Sequence, residues 1–167
     1  MSTPRLLRSI AFERLADAVA DGAPIPCTIA TQTPVQRYGV SEVLDCSETG
    51  VDLSRSPLPL IISHDSQQLS IGLVENLRAL GDRVVGEVRF ASSEEAQQVR
   101  ADVLGGIHRS LSVGYLHLDD GSPIEGGLMF RWRSAAWGNG DRPASHRLAM
   151  QPAWGRTLCV ACGEAGT

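Results

Sequence analysis

Hydrophobic and polar positions alternate most cleanly over residues 83–90. Val84, Gly86, Val88 and Phe90 fall on one face of a predicted strand, and Arg83, Glu87 and Arg89 on the other. Residues 70–80 read as the first arm of the same hairpin, closed at Gly81-Asp82. Leu58–Ser63 is a short continuous apolar run, the pattern of a buried strand. Pro24–Thr31 begins another strand, and Leu111–Leu118 a further one that turns at Asp119-Asp120-Gly121. Val35–Ser56 is polar and rich in turn residues, which predicts loop carrying short strands.

Two helices are predicted. Residues 8–20 carry a short helical pattern that ends at Asp21-Gly22. In the second, Ser92 is followed three residues later by Glu95, a capping box that satisfies free N–H groups of the first turn. Ala96, Val99, Val103 and Leu104 then make one apolar stripe, and Gly105-Gly106 ends the helix. Strands dominate, so the expected class is α+β with few helices.

After about Gly126 the texture changes. Trp132, Trp137 and Trp154, all the tryptophans of the chain, lie there, together with Cys159 and Cys162. No helical or strand period survives there over more than a few positions. The pattern divides the chain into a body, residues 1–125, and an atypical C-terminal segment, residues 126–167. One reading is an irregular segment that covers the sheet; the other is a divergent or frameshifted tail foreign to the fold before it. The other reading frames of the gene discriminate: a frameshift requires one of them to encode an acid-bearing strand.

At 167 residues the chain suits one domain with a sizeable core. A net charge of −4, with no blocks of like charge, gives no pointer to nucleic acid. The N-terminus carries no signal-like apolar core, and no stretch approaches the ~20 apolar residues of a membrane span, so the expected location is a cytoplasm. There Cys27, Cys46, Cys159 and Cys162 read as thiols rather than disulfides. Cys159 and Cys162 form one CxxC, but Cys27 and Cys46 are not spaced as the second pair that a zinc site needs. No metal or cofactor is expected.

The chemistry centres on two segments. The strand 58–63 runs into His64-Asp65, and the strand from Leu111 presents Ser112 two residues before Gly114. A serine hydroxyl is a weak nucleophile until a base takes its proton, and histidine titrates in the useful range. Ser112 suits the first role because Gly114 leaves room nearby for a substrate backbone; His64 suits the second because it sits where a buried strand emerges. Ser110 shares the face of Ser112 and competes for the same role. His108 precedes the strand, His117 falls on the opposite face, and Asp65 alternates away from His64. Residue chemistry alone leaves these alternatives open.

The order of motifs narrows them. Residues 35–115 resemble the tailed-phage prohead proteases, which mature procapsids and share a fold with herpesvirus assemblins. The resemblance rests on Leu60–Asp65 as an apolar run ending in His-Asp, then Ile71–Val74 and Gly86–Phe90, then Gly106–Tyr115 as Gly-x-x-Arg-x-Leu-Ser-apolar-Gly-aromatic. Arg37–Asp45 and Val51–Arg55 resemble the lead-in to the histidine strand. The resemblance covers about half of the chain.

It implies an assemblin-like β-barrel and a serine endopeptidase without cofactors, with Ser112 as nucleophile and His64 as base. It further implies a major capsid protein with its scaffolding region as substrate and partner, and self-association or self-cleavage inside the procapsid. The departure is C-terminal: the family's acid-bearing strand, roughly two dozen residues beyond the serine, has no counterpart. Glu125 and Asp141 remain as candidates for the third member. Two other classes stand beside the protease, namely a noncatalytic capsid-assembly domain of the same fold, and an unrelated serine hydrolase or small β-barrel binding module.

Overall fold

The computed structural model describes residues 6–11, 20–62, 69–134, 136–137, 158–160 and 162–163. In chain order the elements begin with β1 (Leu6–Ala11), β2 (Ile25–Thr31), β3 (Val35–Arg37), β4 (Val40–Leu44), β5 (Val51–Asp52) and β6 (Leu58–Ile62). They continue with β7 (Gly72–Ala79), β8 (Arg83–Phe90), α1 (Glu94–Leu104), β9 (Ser110–His117) and β10 (Ser122–Ile124). The last are β11 (Gly127–Phe130), β12 (Trp132–Ser134), β13 (Ala136–Trp137), β14 (Leu158–Val160) and β15 (Cys162–Gly163). This is the strand-dominated α+β class that the patterning predicts.

The alternation along β8 closes the sheet onto its core. Val84, Gly86 and Val88 are buried, whereas Arg83, Val85 and Glu87 are only partly covered. The β7–β8 hairpin turns at Gly81-Asp82 as expected, with Leu80 N–H donating to Arg83 O at 2.8 Å. A nine-stranded sheet runs β2-β8-β7-β6-β14-β9-β12-β5, with β1 also on β9. It curls until β1 lies beside β2, forming a half-barrel. Ile25, Ile29, Leu60, Val74, Val84, Val88, Leu111 and Val113 fill its inside, each under 2% exposed. A smaller sheet, β10-β11-β4-β3, lies next to it.

Three expectations change. Residues 6–11, at the start of the predicted helix over 8–20, are strand β1, paired along its whole length with β9. A short helical period is a weak preference, and a full row of sheet hydrogen bonds overrides it; the remainder, 12–19, lies outside the described residues. The N-cap of α1 is Ser93 rather than Ser92: its hydroxyl accepts from Ala96 N–H at 3.4 Å. The third helical position is thus Ala96, so no reciprocal capping box forms. Leu104 is 38% exposed, and Arg100 takes its place in the buried stripe, donating through Nη2 to Ala20 O at 3.1 Å and Ala23 O at 3.3 Å. The carbonyls let a cation be buried on an otherwise apolar face.

Strand pairing carries past Gly126. β11 lies parallel to β4, and β12 joins β9 and β5. Further on, β14 stands between β6 and β9. The approach of β11 to β4 depends on a missing side chain: a Cβ on Gly127 would come to 2.2 Å from Ser41 O. Gly127→Ala is expected to push the two strands apart and cost about 1–3 kcal/mol, the range of overpacking a tight site. A urea unfolding midpoint against wild type measures it.

Candidate active site

Ser112 sits in the middle of β9, directly opposite Ser9 of β1 on one side and Cys159 of β14 on the other. Residues 111–115 are all buried, so this strand is covered on both faces, and Ser112 is 3% exposed. Ile61 of β6 stands in the same row as Cys159, and Ile62 in the same row as Leu158 and Leu111. One strand therefore separates the end of β6 from the serine strand, a gap of about 10 Å at the usual strand spacing. The apolar run of 58–62 is what buries β6 in the sheet, and it ends two residues before His64. His64 itself, with Asp65, lies outside the described residues.

Ser110, also on β9, is partly exposed and opposite Ala11. His108 lies in the connection from α1, with Nε2 3.8 Å from Asp102 Oδ2. Glu125 is exposed in the two-residue turn between β10 and β11, on the smaller sheet. Asp141 lies outside the described residues. Cys27 is no rival nucleophile: burial pushes its thiol up to about 12, which keeps it protonated and inert.

The opposite face of β9 carries a charged cluster that residue patterning does not anticipate. Glu42 of β4 is 3% exposed. It accepts from Tyr115 Oη at 2.5 Å, and the same hydroxyl accepts from Arg37 Nη2 at 3.3 Å. Arg37 Nε lies 3.5 Å from Glu42 Oε2. His117 Nε2 lies 3.1 Å from that oxygen. His117 also stacks on Phe130 at 3.9 Å, and Tyr115 meets Trp132 edge-on at 6.1 Å. His117 is thus committed to this face, away from Ser112. The available signal was Glu42 itself, an acid two residues before the buried Leu44 and so on its face, where it needs partners.

Burial alone would raise the Glu42 carboxyl, but the contacts from His117 and Tyr115 and the charge of Arg37 outweigh it and hold the group down at about 2. The ordinary value is 4.5. A depressed carboxylate contributes stability that is complete above its unfolded value and is lost as pH falls through the folded one. Wild type should therefore lose stability between about pH 4.5 and 2, and Glu42→Gln should flatten that part of the curve. At neutral pH Glu42→Gln is expected to cost about 2 kcal/mol. That is below the roughly 3–5 kcal/mol for a fully buried pair, because water screens the partly exposed Arg37 and His117. Denaturant titrations at several pH values test both statements.

Among the described residues no helix is long and apolar enough to cross a membrane. No protein-family model and no solved structure matches the chain. Over 91 residues, 52% of this chain, the sequence is 43% identical to a protein named major capsid protein from Halomonas phage phiHAP-1. The match spans only 15% of that protein's length, so most of it has no counterpart here.

Proposed function

We propose that the chain is a serine endopeptidase of phage capsid maturation, a prohead protease that cuts the scaffolding region of a major capsid protein and also itself. The observation that carries this is the register of β6, β14 and β9, which brings the strand leading to His64 within one strand of Ser112. The resemblance over 35–115 supports the same residues in the same roles. The relative named major capsid protein supports a phage capsid context. In the host cytoplasm and the procapsid interior, the protein's partner is then the capsid protein.

In this mechanism His64 takes the proton of Ser112 Oγ as that oxygen bonds to the scissile carbonyl carbon. The tetrahedral intermediate collapses, the carbon–nitrogen bond breaks, and His64 passes its proton to the leaving amine. Water, deprotonated by His64, then hydrolyses the serine ester. No metal or cofactor enters. A third group would orient the imidazole; Glu125 or Asp141 is the candidate, and an exposed Glu125 would act weakly through water.

A second reading has one observation in its favour. Ser112 is 3% exposed, a degree of burial more usual for a packed residue than for a nucleophile that meets a substrate carbonyl. On that reading the chain is a noncatalytic capsid-assembly domain of the same fold. The two are separated by the intact mass of the cognate capsid protein after co-expression with wild type or Ser112→Ala. Shortening by wild type alone establishes the protease; a full-length capsid beside soluble wild type establishes the assembly domain.

A further inference from the structure

Ser112 lies on a strand with two edges, and both are taken. Along one edge β14 pairs with Leu111, Ser112 and Val113, and β12 with Tyr115, Leu116 and His117. Along the other, β1 pairs antiparallel with every residue from Ser110 to Tyr115, and Ser9 stands directly opposite Ser112.

The two edges are held unequally. β14 is also paired with β6, and β12 with β5, so each is fixed in the sheet from both sides. Among the described residues β1 has a ladder with β9 alone: it lies beside β2 but does not pair with it. One row of hydrogen bonds holds β1, and peeling it away breaks no other described pairing.

A sheet binds an extended peptide through main-chain hydrogen bonds along a strand edge. Next to Ser112 that edge is the one under β1, because the other carries strands that tie the sheet together. A peptide in place of β1 would run one strand spacing, about 5 Å, from the backbone of Ser112, with its N–H and C=O groups held by β9. β1 already has the form of such a peptide: it is extended, antiparallel, and passes the serine on both sides.

We propose that β1 is an autoinhibitory strand, which occupies the edge of β9 where an extended segment of the capsid protein would bind and competes with it. The inference rests on the protease reading for cleavage; the competition for the edge stands without that reading. Because β1 belongs to the same chain, it competes at an effective concentration on the order of millimolar. Dilute substrate is then excluded, and substrate crowded to a comparable concentration displaces the strand.

The first test is hydrogen exchange on the full chain carrying Ser112→Ala, with and without overlapping synthetic peptides that cover the cognate capsid protein. A peptide that binds is expected to raise the exchange of the β1 amides that face β9 at least tenfold, while the amides of β9 stay protected. The second test is capsid cleavage by the full chain carrying Arg8→Pro together with Ser9→Pro. Successive N–H groups of a strand point to opposite edges, so this pair removes one bond of the ladder, whichever of the two faces β9. Weakening a competitor lowers KM, here about tenfold, and leaves kcat alone; a mere loss of structure would lower kcat instead. Should the proline variant not fold, the exchange measurement decides by itself. Bound peptide with β1 as protected as before, no binding by any peptide, or an unchanged KM in a folded proline variant would overturn the proposal. Release of β1 by a peptide, beside a wild type that leaves the capsid intact, supports this site and rejects the protease reading. Capsid cleavage with β1 protected throughout does the reverse.

Discussion

Ser112→Ala and His64→Ala are each expected to lower kcat for capsid cleavage by a factor on the order of 10⁴ or more, and the double variant to be no worse than either. On the proposed mechanism base and nucleophile act as a unit: a serine without its base is a poor nucleophile, and a base without its serine has no proton to take. Removing either one ends the covalent route, and removing the second takes nothing further. KM should barely move, because neither side chain is needed to hold an extended peptide. Ser110→Ala is the control. It lies on the same face two residues earlier, and a loss of cleavage there instead would transfer the nucleophile to Ser110. Single-turnover assays with intact-mass detection would resolve these cases. An additive loss in the double variant would mean that His64 and Ser112 do not act on the same step.

Trp132→Ala is expected to cost about 3–5 kcal/mol, lowering the melting temperature on the order of 10 °C. Trp132 is 1% exposed, packs edge-on against Tyr115, and donates its indole N–H to Asp45 O at 3.0 Å. Its backbone joins β9 and β5, and its N–H donates to Gly50 O at 2.9 Å. Truncation therefore opens a cavity between the strands that β12 joins and leaves a carbonyl unpaired. Trp132→Phe should recover most of the loss, since it restores apolar volume and forgoes one hydrogen bond worth about 1 kcal/mol. Thermal melts of the three proteins measure this. A wild-type melting temperature in Trp132→Ala would mean that the chain beyond Gly126 does not belong to the folded unit.

Much of the architecture is legible in the sequence because local pattern and tertiary demand agree there. The β7–β8 hairpin, the buried β6, β9 with its Asp119 turn, and the body of α1 follow from periods of two and 3.6 and from turn residues. Asp119 even performs the expected turn role, accepting from Gly121 N–H and from Arg131 N–H, both at 3.2 Å. Disagreement appears where a neighbour distant in sequence decides. Leu6–Ala11 becomes a strand because β9 is there to pair with it. Arg100 is buried because the carbonyls of Ala20 and Ala23 meet it.

The sequence by itself determines the class of fold, the strand that leads to His64, the strand that holds Ser112, and the assignment of His117 to the other face. All of these depend on alternation, which is a property of the chain taken a few residues at a time. Only the tertiary structure decides that β14 stands between those two strands, that Glu42 is caught by Arg37, Tyr115 and His117, and that Trp132 belongs to the core. Each of these joins residues far apart in the chain. Sheet register and burial of charge are settled by which surfaces meet, and no local period encodes that meeting.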